Sequence, residues 1–311
     1  MPVITLYRHG FTAGCAPSST PPPPVRTECS GWTIGAIRRN KLFLYSVDET
    51  RLTGTGFALS LTVKVCPPTH DDWRNVLRAF FERLRRLGMI RAHWLTEWQR
   101  RGIPHLHMAV WFPAETVNAW VDGGFARLLV SHWLQVAGPL YGSLERAQHV
   151  TPIYDALGWN KYTSKHASRG LSNYQRNPAS IPAGWREHGT GRMWGKLGDW
   201  SGVCQEAVRV EMPFQAYHLL RRITRGYNKA KARAALAKAR AAVSRARDPI
   251  QDRAAALQVR QALRRVTFTR RMLGCTLPKL SAVRGLSEWM PEAGQLQALA
   301  YFAALGYEIT C

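Results

Sequence analysis

The run "PHLHMAVWF" (104–112) constrains this chain more than any other stretch. It reads as a strand, in which successive side chains alternate between faces, so His105 and His107 share one side while Leu106 and Met108 take the other. The preceding "MIRAHWLTEW" (89–98) reads as a second strand, and the "QRRG" that follows it has the length and the glycine of a hairpin turn. A tight antiparallel hairpin brings Glu97, eight residues before His105, across to the histidine face. Two imidazoles and a carboxylate form a mixed N/O donor set for a divalent cation. Mn²⁺ or Mg²⁺ suits it for phosphoryl chemistry, and Zn²⁺ would accept the same ligands. An H-x-H pair on its own also arises as two structural histidines. The metal reading is favoured by the mid-strand position, the Glu-bearing partner strand and the basic chain around them. His93, four positions before Glu97, should face the same way, as a backup ligand or, more ordinarily, as a neighbour of the site.

The flanking elements extend this hairpin into a sheet. "FALSLTVKV" (57–65) is strand-like, and "THDDWRNVLRAFFERLRRLG" (69–88) is a helix with Thr69 as N-cap, acids in its first turn and Gly88 at its end. "PAETVNAWVDGGFARLLVSHWLQVAG" (113–138) reads as a helix that starts at a proline and is weakened by Gly123-Gly124. "AQHVTPI" is a short strand, and "DALGWNKYTSKHASRG" (155–170) a helix stopped by Gly170. Strand, helix, two hairpin strands, helix, strand, helix is the order of an α+β fold with an antiparallel sheet and helices packed on one face. The Gly-, Pro- and Trp-rich stretch 171–202 has no clear period and is expected to be an ordered loop region. The run "APSSTPPPPVRTECS" can form neither a helix nor a central strand and is expected to be a surface loop or arm. From residue 217 the chain is dense in Ala, Arg and Lys, all strong helix formers, and Pro249 should divide it into two helical pieces. The expected organisation is an N-terminal arm over 1–56, a core domain over 57–202 and a basic helical region over 203–311.

The charge names the class of partner. With 43 Lys and Arg against 20 Asp and Glu, the net charge is +23, which favours a polyanion, nucleic acid ahead of an acidic membrane surface. Arg221, Arg222, Arg225, Lys229 and Lys231 are the candidate phosphate contacts, with a solvated charged surface as the plainer alternative. Trp159, Trp185, Trp194 and Trp200 are candidates for base stacking, although burial in a core is the commoner fate of tryptophan. No apolar run approaches the roughly 18 residues of a membrane span, and the N-terminus lacks the order of an export signal, so an intracellular protein of the cytoplasm is expected. The six cysteines contain no C-x-x-C pair and read as reduced thiols.

In "GWNKYTSKHASRG", Tyr162 and Lys165 are three apart and share a helical face. A phenol can attack a phosphodiester when a metal polarises the phosphate and a nearby cation lowers the cost of the developing charge. At this point the chain resembles the HUH endonucleases, and among them the single-tyrosine rolling-circle replication initiators of plasmids and filamentous phages. "FALSLTVKV", "EWQRRGIPHLHMAVW" and "YTSK" match the three motifs in their expected order over roughly residues 57–170. The resemblance implies that Tyr162 is the nucleophile, Lys165 its helper, and His105, His107 and Glu97 the metal ligands. It further implies a nicking and joining enzyme acting on single-stranded origin DNA, with a host helicase and DNA polymerase as partners. Tyr154 is eight residues before Tyr162, and Tyr174 is twelve after it and beyond the glycine stop, so one nucleophile is favoured over two. No G-x-x-x-x-G-K-[ST] loop is present, so no nucleotide cofactor is expected. Two rivals remain open: a non-catalytic DNA-binding or packaging protein with structural histidines, and the same chemistry used for transposition or conjugative transfer.

Overall fold

A computed structural model describes residues 1–15, 31–167, 169–171, 173–245, 260 and 286–308. Two compact units divide the chain. The larger holds Tyr7–His9 and Pro22–Ala207, and the smaller holds Met1–Leu6, Gly10–Pro21 and Val208–Cys311. The proline run, residues 16–30, lies outside the described residues.

The larger unit is built on a five-stranded antiparallel sheet. Its strands are β3 (Thr55–Thr62), β4 (Arg91–Trp98), β5 (Pro104–Phe112), β6 (His149–Ile153) and β7 (Trp194–Gly198), in the order β6-β3-β5-β4-β7. The α+β class and the antiparallel sheet are those indicated by the sequence. The β4–β5 hairpin closes at Gln99, whose N–H donates to the Ile103 carbonyl at 2.9 Å, and Gly102 takes the left-handed conformation (φ 72°) that this turn requires. Ladder partners include Glu97 with His105, Leu95 with His107 and Ser60 with His107. The even-numbered residues of β4 and β5 therefore face one side and the odd-numbered residues the other.

Helix α1 (Ile34–Ser46) precedes the sheet, and α2 (His70–Arg86), α3 (Ala114–Asn118), α4 (Gly124–Tyr141), α5 (Ala156–Ala167) and α6 (Ala183–Glu187) follow in chain order. α2 opens with a capping box in which Thr69 Oγ1 accepts from the Asp72 N–H and the Asp72 carboxylate accepts from the Thr69 N–H, an arrangement that contributes about 1 kcal/mol. α2 and α4 cover the even face: Phe80 packs edge-on against Trp133 at 5.3 Å, Phe57 lies 5.5 Å from Phe125, and the Trp73 indole N–H donates to Thr96 Oγ1. Burying each such aromatic stabilises by roughly 2–3 kcal/mol. α1 and α5 supply a second layer on the odd face, where Trp159 packs on Trp111 at 5.4 Å and Phe43 stacks on His93 at 5.5 Å.

Two local expectations change. Asp122 and Gly123 both take positive φ, and this splits the single expected helix of 113–138 into α3 and α4. The expected loop 171–202 contains α6 and the edge strand β7. β7 reads poorly as a strand because it carries Gly195 and Gly198, yet Gly195 is what lets it lie flat: a Cβ there would stand 2.8 Å from the Trp94 indole nitrogen. Of the stacking candidates, Trp159, Trp185 and Trp200 are buried in the core, and Trp194 is half-buried.

The smaller unit has a four-stranded sheet of β1 (Pro2–Tyr7), β2 (Gly10–Cys15), β8 (Val208–Glu211) and β9 (Leu286–Trp289) in the order β8-β1-β2-β9. Among the described residues it is accompanied by α7 (Phe214–Arg245) and α8 (Glu292–Ala304), and Ile4, Phe11, Val210, Tyr217 and Phe302 belong to its core. Arg221 lies over the Tyr217 ring at 5.7 Å and Arg222 is exposed; the side chains of Arg225, Lys229 and Lys231 and the position of Pro249 lie outside the described residues. No described helix is long and apolar enough to cross a membrane.

Packing of Gly195 against Trp94 predicts that Gly195→Val lowers unfolding stability by about 1–3 kcal/mol in urea titration, whereas Lys196→Ala, one residue on and more exposed, changes it by less than about 1 kcal/mol.

Candidate active site

The odd face of the sheet carries the polar cluster. Strand alternation places His93, Leu95 and Glu97 of β4 beside His105, His107 and Ala109 of β5, with Ser60 and Thr62 of β3 beyond them. α5 lies across these strands and contributes Tyr162 and His166, which are one helical turn apart.

Glu97 is the centre. Its carboxylate is fully buried, and ion pairs hold both oxygens: Arg176 Nε reaches Oε1 at 2.8 Å and Arg169 Nη1 meets Oε2. His107 Nε2 stands 3.5 Å and His166 Nδ1 3.9 Å from Oε2. Burial alone would raise the pKa of this acid, but His166, Arg176 and Arg169 outweigh it and hold the group ionised, at about 2. Arg176, itself buried, also donates to the carbonyls of Arg169 at 2.7 Å and His166 at 2.9 Å, and its guanidinium lies 4.1 Å from the Trp32 ring. It thus satisfies a carbonyl at the C-terminal end of α5 and neutralises Glu97 in one stroke.

His105 and His107 stand side by side with ring centroids 4.4 Å apart. Ser60 Oγ lies 2.9 Å from His107 Nδ1, a partner for that N–H when Nε2 carries the lone pair, whereas the Gln99 amide nitrogen donates to His105 Nδ1 at 2.8 Å, which leaves the hydrogen of that neutral ring on Nε2. The Nε2 atoms of both rings are buried and have no hydrogen-bond partner. Burial lowers both pKa values, that of His105 to about 4 and that of His107 well below the ordinary 6.5, so both rings are neutral near pH 7. A divalent cation takes the lone pair of a neutral imidazole nitrogen; His107 offers one at Nε2 when Nδ1–H is taken by Ser60, and His105 would offer a second only with the Gln99 amide turned so that its oxygen faces Nδ1. Glu97, their expected companion, faces Arg169 and Arg176 instead, and among the described residues no group of three or more His, Cys, Asp or Glu is placed to hold a metal ion.

Tyr162 is buried. Its hydroxyl lies 3.0 Å from His93 Nδ1, its ring is 4.7 Å from that of His166, and His166 in turn lies 4.8 Å from His107. The phenol and the imidazole pair are therefore on the same side of the sheet, joined through His166. Burial, with the Glu97 charge second, pushes the phenol pKa well above its ordinary value. Lys165 is exposed, and its charge helps to keep His105 and His107 neutral. His93 is not placed as a ligand, because Tyr162 and Asn40 take both of its ring nitrogens.

Asn40, Ser60, Gln99, His166, Arg169 and Arg176 join the cluster without having been singled out in the sequence. His166 alone left a local signal there, four residues after Tyr162 on the same face of the same helix. The others arrive from distant segments.

Comparison with known proteins was then decisive. A family model for the replication-associated protein ORF2/G2P matches residues 57–170. Over 99% of both chains, the protein is 41% identical to the replication-associated protein G2P of Pseudomonas phage Pf3. The chain belongs to the G2P family of replication-associated proteins. A chain of Xylella fastidiosa strain 9a5c whose name contains the words "replication protein" is 40% identical over all of this chain and 99% of its own length. No solved structure matches. The matched span 57–170 carries β3, β4, β5 and α5, and so Glu97, His105, His107 and Tyr162 of the cluster.

Two measurements follow from these charges. Removing Arg176 as Arg176→Met leaves Glu97 buried with one guanidinium fewer, and unfolding stability should fall by about 3–5 kcal/mol. In chelator-treated protein, His105 and His166 stay neutral down to about pH 4 in the folded state but take up protons from about 6.5 once unfolded. Stability should therefore fall, by about 2–4 kcal/mol, as pH drops from 6.5 to 4, and His166→Asn should remove part of that slope. Glu97 stays ionised throughout this window.

Proposed function

We propose that this replication-associated protein opens and rejoins one strand of origin DNA through Tyr162, and so starts rolling-circle replication. The observation that carries the reading is the common sheet face of the Tyr162 phenol and the His105–His107 pair, bridged by His166. Tyr162 attacks one phosphate of the exposed strand, forming a 5′-phosphotyrosyl link and releasing a 3′-hydroxyl. The hydroxyl primes a host polymerase while a host helicase unwinds ahead of it. The phosphotyrosyl bond conserves the energy of the phosphodiester for rejoining, so no nucleotide cofactor is consumed. Lys165, exposed at the edge of the cluster, meets the strand being cut. Mn²⁺ or Mg²⁺ held by His105 and His107, with Glu97 joining them in exchange for the Arg169 guanidinium, would supply electrophilic activation of the phosphate. Such an initiator acts in the cytoplasm of the bacterial host.

Arg221, Arg222, Arg225, Lys229 and Lys231 are assigned to contacts with duplex phosphates. Each lost contact should then reduce the salt slope of binding by about one, measured for Arg222→Ala by fluorescence anisotropy on duplex DNA.

The direct test uses full-length protein, Mn²⁺ and single-stranded oligonucleotides tiled across the encoding replicon. One oligonucleotide should give a covalent adduct on a denaturing gel, and Tyr162→Phe should abolish it. His105→Ala and His107→Ala should each weaken Mn²⁺ binding at least tenfold by calorimetry as well as slowing adduct formation. Adduct formed by Tyr162→Phe at the normal rate would refute the reading.

A further inference from the structure

A phenol with a raised pKa needs somewhere to send its proton when it attacks, and the cluster contains an acceptor that neither the imidazole pair nor Lys165 accounts for. His93 lies on β4, fully buried, with Nδ1 3.0 Å from the Tyr162 hydroxyl and Nε2 2.7 Å from Asn40 Oδ1 of α1. The amide oxygen can only accept, so Nε2 carries the ring hydrogen, and Nδ1 is left with a lone pair facing the phenol O–H. Phe43 stacks on one side of the ring at 5.5 Å and Trp194 lies 6.1 Å away, which fixes its plane. This is the order of a nucleophile, a base and a group that orients the base.

We infer that His93 is the general base of strand cleavage, with Asn40 as its positioning residue. The inference rests on Tyr162 being the nucleophile. As the Tyr162 oxygen bonds to phosphorus, its proton passes to His93 Nδ1. The bond from phosphorus to the 3′-oxygen breaks, and that oxygen leaves with its electron pair and takes a proton from solvent. In rejoining, the 3′-hydroxyl gives up its proton to solvent as its oxygen attacks phosphorus, the bond from phosphorus to the Tyr162 oxygen breaks, and that oxygen regains a proton from solvent through His93 Nδ1. The groups facing His93 suit transient rather than lasting protonation. Tyr162 and His166 approach from α5, Asn40 from α1, Lys196 from its ladder position on β7, and the Arg176 charge is near enough to act on the ring. Burial, with His166 and Arg176 adding to it, keeps His93 neutral at rest and thus free to accept.

The test follows the adduct in full-length protein with Mn²⁺ and the reactive tiled oligonucleotide. His93→Gln should lower the rate at least about 100-fold with oligonucleotide affinity unchanged. Its rate should rise about tenfold per pH unit between pH 6 and 9, where wild type is flat, because solvent hydroxide must then take the proton. His93→Gly should be rescued by added imidazole, and Asn40→Leu should slow the reaction by about tenfold. A His93→Gln rate within threefold of wild type, while Tyr162→Phe stays dead, overturns His93 alone; adduct from Tyr162→Phe overturns the nucleophile and the base together. Should these variants not fold, the ¹⁵N shifts of His93 in the wild-type protein decide: an unprotonated Nδ1 is expected, and a protonated Nδ1 overturns the assignment.

Discussion

A carboxylate with no access to water organises this molecule. Glu97 remains ionised in the interior because His166, Arg176 and Arg169 reach it, and burying an unpaired charge would cost several kcal/mol. That requirement fixes more than one side chain. Arg176 binds the His166 carbonyl at the end of α5 and the Arg169 carbonyl just beyond it while pairing with Glu97, so the helix bearing Tyr162 is held against the β4–β5 hairpin by the charge the hairpin itself contributes. Burial keeps the neighbouring histidines unprotonated, with the Arg169 charge adding to it, and burial likewise keeps the Tyr162 phenol protonated.

Much of this could be read from the sequence, and the part that could leave a local trace is the part that was read. Period-two alternation in β5 and the short turn before it put His105, His107 and Glu97 on a common face, and the ladder pairs Glu97 directly with His105. The spacing of Tyr162 and Lys165 placed them on one helix, which the structure contains as α5. His166 obeys the same helical spacing, but its part in the cluster is apparent only from its contacts with Glu97, His107 and Tyr162.

The remainder depends on contacts between segments far apart in the chain. Arg176 sits in a stretch without periodicity, Arg169 at the end of the expected helix carries no mark of the carboxylate it meets, and Asn40 is 53 residues before the histidine it touches. β7 was hidden by its glycines, which signal a loop locally and are needed only because Trp94 lies beneath. β1 and β2 pair with β8 and β9, so their partners begin about two hundred residues later, and two six-residue strands carry no signal that such partners exist. α1 is a weakly amphipathic helix whose purpose is apparent only from what its Asn40 and Phe43 touch.

The account comes down to which hydroxyl reaches phosphorus. Tyr162 is buried beside the histidines, whereas Tyr154, just before α5, is 84% exposed and would be the natural target if accessibility alone chose the nucleophile. Proteolysis of the covalent protein–DNA adduct followed by mass spectrometry identifies the residue that carries the nucleotide. The nucleotide on Tyr162 is the predicted result; the nucleotide on Tyr154, Tyr174 or any other side chain would contradict it.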